Sequence, residues 1–133
     1  MNLERINPGE LGAPSGFSHA VSVTASRLVF LAGQLGTGRD GTIVPGGVVP
    51  QFEQALTNLL AALAAAGGGP GDLVSLTIYI VDVEDYQAHG REIGAAWRRL
   101  AGADYPAMAG VGVTRLWVPE AVVEIQGIAA VSR

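Results

Sequence analysis

Residues 105–130, YPAMAGVGVTRLWVPEAVVEIQGIAA, read as two successive strands joined by a short loop containing Pro119. In the first strand, Met108, Gly110, Gly112 and Thr114 fall on one side, and Ala109, Val111, Val113 and Arg115 on the other. The second strand is apolar except for Glu124 and Gln126. A carboxylate set among aliphatic residues needs a partner or a task, because burying it alone is costly.

Working outward, LVSLTIYIV at residues 73–81 is the strongest strand signal, with Val74, Leu76, Ile78 and Ile80 forming an aliphatic side. Residues 82–100 predict a helix capped by Asp82, with Tyr86, Ile93, Trp97 and Leu100 at helical spacing. Arg98 and Arg99 suit its C-terminal dipole. Gly90 and Gly94 lie within it, each costing about 1 kcal/mol relative to alanine. A first helix spans about 50–66, with the stripe Phe52, Leu56, Leu59, Leu60 and Leu63 and with Gly67 just past its end. Upstream, residues 17–24 alternate as a half-buried strand, and residues 27–33 (RLVFLAG) are apolar on both sides. Residues 1–16, rich in Gly and Pro, read as an irregular arm.

The predicted order is strand, strand, helix, strand, helix, strand, strand over one domain, 1–133. That is an α+β layer structure with both helices on one face of the sheet. Two helices cover one face only, while several strands are apolar on both. The second face is therefore expected to be covered by further copies of the chain. Composition agrees: 49% of residues are hydrophobic and 15% charged, a low charge content for a soluble monomer.

A net charge of −4 with eight basic residues argues against nucleic acid, which is bound by clustered Lys and Arg. No apolar run reaches membrane-spanning length. The start, MNLERINPGEL, lacks the pattern of a signal peptide. The absence of cysteine removes disulfide and thiol chemistry and fits a cytoplasmic location. Gly36, Gly38 and Gly41 match G-x-G-x-x-G. That motif binds phosphate only where a helix begins inside it, and Thr42 to Gly47 is no helix start, so the expectation is a hairpin connection. His19 and His89, with no cysteine, form no ligand-spaced metal cluster.

Four blocks resemble the RidA/YjgF family, also described as L-PSP endoribonuclease-like or translation-inhibitor-like proteins. Ser15 to Val21 (SGFSHAV) is similar to the family's G-P-Y-S-x-A-V, and Ala32 to Leu35 (AGQL) to its S-G-Q-I. Gln51 to Asn58 (QFEQALTN) is similar to Q-x-x-x-x-L-x-N. Residues 105–113 and 123–126 resemble P-A-R-x-x-V-x-V followed by an I/V-E-I-E strand. The resemblance implies a chorismate-mutase-like mixed sheet, a homotrimer with a barrel-like centre, and small-molecule clefts between subunits. In active relatives those clefts hydrolyse enamines or imines such as 2-aminoacrylate to a 2-keto acid and ammonia. No metal or organic cofactor takes part; an arginine holds the substrate carboxylate and a glutamate positions water.

The carry-over places the cleft at Phe17, Ala32, Gly33, Gly90, Met108, Ala109, Gly110 and Glu124, with Glu124 as the catalytic candidate and no metal ligand. The departures run from polar to apolar or smaller. Met108 stands where the family has its arginine, Phe17 where it has tyrosine, Gly90 where an asparagine is frequent, and Ala32 where serine is common. A thioether cannot make the two charge-assisted bonds a guanidinium gives a carboxylate. The leading expectation is thus a family member that binds a small metabolite without the usual deaminase activity. An imine or enamine hydrolase using Glu124 is the alternative, and a ribonuclease-like or translation-inhibitor activity the third.

Overall fold

A computed structural model of the chain describes residues 1–132. Its elements are β1 (Asn2–Ile6), β2 (Ala20–Thr24), β3 (Arg27–Leu35), α1 (Val48–Ala65), a 3-10 turn (Pro70–Asp72), β4 (Leu73–Ile80), α2 (Val83–Ala88), α3 (Gly90–Ala101), β5 (Ala107–Gly112) and β6 (Val123–Val131). The main sheet runs β3-β6-β4-β5. β6 is antiparallel to both its neighbours, while β4 and β5 are parallel, so the sheet is mixed.

One face of this sheet is the core. Leu76, Ile78 and Ile80 of β4 and Val123, Ile125 and Ala129 of β6 pack against Phe52, Leu56, Leu59 and Leu63 of α1 and Ile93, Ala96 and Trp97 of α3. Helices on one face match the expected layering. Along β4 the buried set begins with Leu73 in place of the expected Val74, because a register shift between Leu73 and Ser75 reverses the alternation there. α1 begins at Val48, two residues earlier than predicted, and Pro50 still lies in its first turn, where no intrahelical N–H is needed. The chain leaves α1 through Gly67 at φ +90°, with the Gly67 and Gly68 N–H groups donating to Ala64 and Leu63 carbonyls.

Two expectations are corrected. The N-terminal arm is not irregular throughout: residues 2–6 form β1, which pairs antiparallel with β2 from Asn2↔Thr24 to Ile6↔Ala20. Leu3 and Arg5 are its half-buried positions, and Arg5 anchors it by donating to Gly71 O at 3.4 Å and meeting Asp104 at 3.7 Å. The second predicted helix is two, α2 and α3, which makes three α-helices among the described residues. Asp82 caps α2 as expected, its Oδ1 accepting from Asp85 N–H at 3.0 Å. The break falls at His89, whose N–H donates to both the Asp85 and Tyr86 carbonyls and whose ring bonds the Asp85 carbonyl at 2.8 Å. That ring bond is the main reason the His89 pKa is raised. Gly90 then opens α3.

The glycine-rich motif after β3 is a hairpin. Gly38 N–H donates to Thr42 O at 2.9 Å and Val44 N–H to Gly36 O at 2.9 Å, and α1 starts beyond it. Thr42 donates to Asp40 Oδ1 through both its N–H and its hydroxyl, which holds the Asp40 carboxyl below its usual range. Gly94, in the interior of α3, has ordinary negative φ, and a Cβ there would touch only the Arg98 guanidinium, at 3.5 Å. Gly94→Ala is expected to stabilise the fold by about 0.5–1 kcal/mol, read as an increase in the urea midpoint at unchanged slope.

Candidate functional site

Register divides the candidate residues between two places. Met108 lies opposite Leu76, and Glu124 opposite Tyr79. Leu76 belongs to the buried face of β4 and Tyr79 to the other, so Met108 points toward the helices and Glu124 toward the open face. One chain therefore does not bring Glu124 and Met108 together.

On the open face, half-buried Glu124 lies between Leu35 of β3 and Tyr79 of β4. Its carboxylate lies directly over Gly33, where any side chain would collide with it. Gly33 and Ala32 occupy the irregularity of β3, between the pairs Leu31↔Gly127 and Gln34↔Ile125. Gln126 sits two residues on and accepts the Tyr79 hydroxyl at 2.9 Å. Beyond them the open face is apolar: Leu28 and Phe30, paired with Ala130 and Ile128, are 58% and 73% exposed.

Two polar residues of α1 hold this region in place. Gln51, buried, donates to Glu120 O at 3.1 Å and accepts Val122 N–H at 2.9 Å, fixing the entry into β6. Asn58 donates to the carbonyls of Leu35 and Thr37 at 3.1 and 2.9 Å, fixing the end of β3. These two are the first and last residues of the block that resembles the family's Q-x-x-x-x-L-x-N.

On the helix side, Met108 lines a cavity of about 330 Å³. Its walls are Tyr86 of α2, Gly90, Ile93, Gly94, Trp97 and Arg98 of α3, Tyr105 before β5, and Ser15 and Gly16 from the N-terminal loop. Trp97 and Tyr105 stack at 5.3 Å between ring centroids. Burial pushes the Tyr86 phenol up to about 12. Ser18 ties the loop down, donating from its hydroxyl to Tyr105 O at 2.7 Å and from its N–H to Pro106 O at 3.0 Å.

Of the expected residues, Met108 and Gly90 share this cavity, and Gly33 and Glu124 share the open face. Ala109 and Gly110 lie exposed on the edge strand β5. Phe17 is half-buried, edge-on to His19 at 5.0 Å, outside the cavity walls. β5 ends at Gly112, so Arg115 stands in a loop, exposed, its Nε donating to Leu116 O at 3.3 Å; the alternation expected to carry through it stops short. Tyr86, Trp97, Arg98 and Tyr105 were not among the expected site residues. The signal for them was the helical spacing of Gly90, Gly94 and Arg98, four residues apart on one stripe.

Among the described residues, no group of His, Asp or Glu is placed to hold a metal ion, and no helix is long and apolar enough to cross a membrane.

Comparison with known proteins fits this geometry. Residues 9–131 match the family model described as Endoribonuclease L-PSP. The chain is 35% identical to the RutC family protein UK114 of Drosophila melanogaster over 81% of this chain and 75% of that protein. It is 34% identical to the 2-iminobutanoate/2-iminopropanoate deaminase of Capra hircus over 74% of this chain and 69% of that one. The crystal structure of YyfB, a Rid family protein from Yersinia pestis, superposes with a TM-score of 0.85 at 36% identity, covering 98% of this chain and all of that one. A match over nearly the full length, with the mixed sheet and its helices in the same arrangement, places the chain in the endoribonuclease L-PSP family, the RidA/YjgF proteins.

Proposed function

We propose that this protein binds a small metabolite in clefts between the subunits of a homotrimer, and that it lacks the imine deaminase activity for which relatives are named. The observation that carries this reading is the split of the site. Glu124 and Gly33 face one side of the sheet and Met108 and Gly90 the other, so they can line one cleft only when supplied by different copies. The exposed Leu28 and Phe30 beside Glu124 support the same assembly, because apolar side chains on an open sheet face call for a cover. Met108 supports the loss of deamination: at the position where the resemblance places the arginine of active relatives, its sulfur offers no hydrogen-bond donor.

The deaminase names of relatives such as the goat protein, together with the retained Glu124, favour a second reading, a hydrolase that uses Glu124 to position water. The two part in one assay. When the protein is added to an enzyme that generates 2-iminopropanoate, pyruvate release is expected to match buffer alone. A robust acceleration that Glu124→Ala abolishes would establish the hydrolase instead.

A further inference from the structure

We propose that Arg98 is the anion-binding residue of the α3 cavity, and that the cavity takes a monocarboxylate with an aromatic or similarly flat apolar body. The inference rests on the preceding reading in that the cavity is the Met108 side of the proposed cleft.

Among the described residues that wall the cavity, Arg98 is the only charged one. It lies in the last turn of α3, where the dipole alone would explain it, but its surroundings separate it from Arg99. The Arg99 guanidinium is paired with Glu53 at 3.1 Å. Arg98 has no ion pair among the described residues, and the positions three and four residues away along the chain are Gly94, Ala95, Ala101 and Gly102, none of them acidic. Its Nη1 lies over Gly94, 3.5 Å from where a Cβ would stand. Gly90, one turn earlier, has nothing within 4 Å of its own Cβ position. Gly90 at the start of α3 and Gly94 within it thus leave a bare helix stripe leading from the cavity to a guanidinium.

The other walls define the ligand. Tyr86, Ile93, Trp97, Tyr105 and Met108 offer flat or flexible apolar surface, with the stacked Trp97–Tyr105 pair as one side. A single guanidinium matches a carboxylate through two parallel bonds. A phosphate dianion would meet one cation in a chain of net charge −4, which favours the monoanion. The volume is at the lower end for small-molecule sites, suited to a single ring with a short acid arm. The cation of this site therefore comes from a helix and not from β5, where Met108 is its apolar neighbour.

Phenylacetate, its neutral isostere phenylacetamide, acetate and inorganic phosphate test this on the intact protein. Trp97 fluorescence is the reporter, in a Trp117→Phe background that removes the 90% exposed second tryptophan. Phenylacetate is expected to give saturable quenching, with phenylacetamide and acetate each at least tenfold weaker and phosphate failing to compete. Arg98→Gln should weaken phenylacetate binding tenfold or more, Arg98→Lys less, and Arg99→Gln not at all, with circular dichroism unchanged throughout. Equal binding of acid and amide, an Arg98→Gln protein that binds like wild type, or no saturable binding of phenylacetate would each overturn the assignment. The sedimenting species and the deaminase assay are read separately from phenylacetate binding, so a stable monomer or an active deaminase would mark failure of the intersubunit reading and not of the Arg98 assignment.

Discussion

Gly127→Ala is expected to destabilise the protein by about 3 kcal/mol, the upper part of the range for overpacking a core. Gly127 lies in β6 between Leu31 of β3 and Leu76 of β4. A methyl group there would run into the Leu76 side chain and come within 2.9 Å of the Ser75 carbonyl oxygen. Leu76 is 1% exposed and has little room to turn away, and the carbonyl is backbone in the neighbouring strand. Relief requires β4 and β6 to separate just beyond the register shift between Leu73 and Ser75. For a chain of this length the cost corresponds to a fall in Tm of roughly 10 °C. Thermal unfolding followed by circular dichroism reads it directly; a change of under 2 °C would show that β4 and β6 part more easily than their packing suggests.

Phe30→Asp is expected to abolish self-association while leaving the fold of each chain intact. Phe30 is 73% exposed on the open face, beside Leu28 and across from Ile128, and contributes nothing to the helix-side core. Buried against another copy, a phenylalanine side chain supplies about 2–3 kcal/mol. An aspartate there removes that gain and adds the cost of desolvating a charge, several kcal/mol at each contact. Wild-type circular dichroism with a smaller sedimenting species is the expected result. Unchanged assembly would move the interface to another face.

Much of this fold was legible in the sequence because its signals are local. The α1 stripe, its glycine exit, the Asp82 cap and the aliphatic side of β4 each follow from neighbours a few residues apart. β1 was not legible, because its partner lies about twenty residues away and the Gly- and Pro-rich segment that follows hides its short alternation. The break at His89 leaves no mark in the spacing, because Tyr86, Ile93, Trp97 and Leu100 recur across it at helical intervals. The site was legible by parts only. Met108 and Glu124 sit in successive strands, and whether they share a face depends on the registers of β5 and β6 against β4, Leu76 for one and Tyr79 for the other. Gly33 was marked for the cleft by the resemblance alone; the carboxylate lying over it, which leaves no room for a side chain, shows only in the structure. Arg98 matched a helix-end cation until the cavity beside it was in view.

The claim on which the rest depends is that one chain holds only half of each site. Sedimentation equilibrium of the wild-type protein at micromolar concentration tests it most directly. A single species of three times the chain mass is expected; a stable monomer would contradict it, since Glu124 and Met108 would then never face the same ligand.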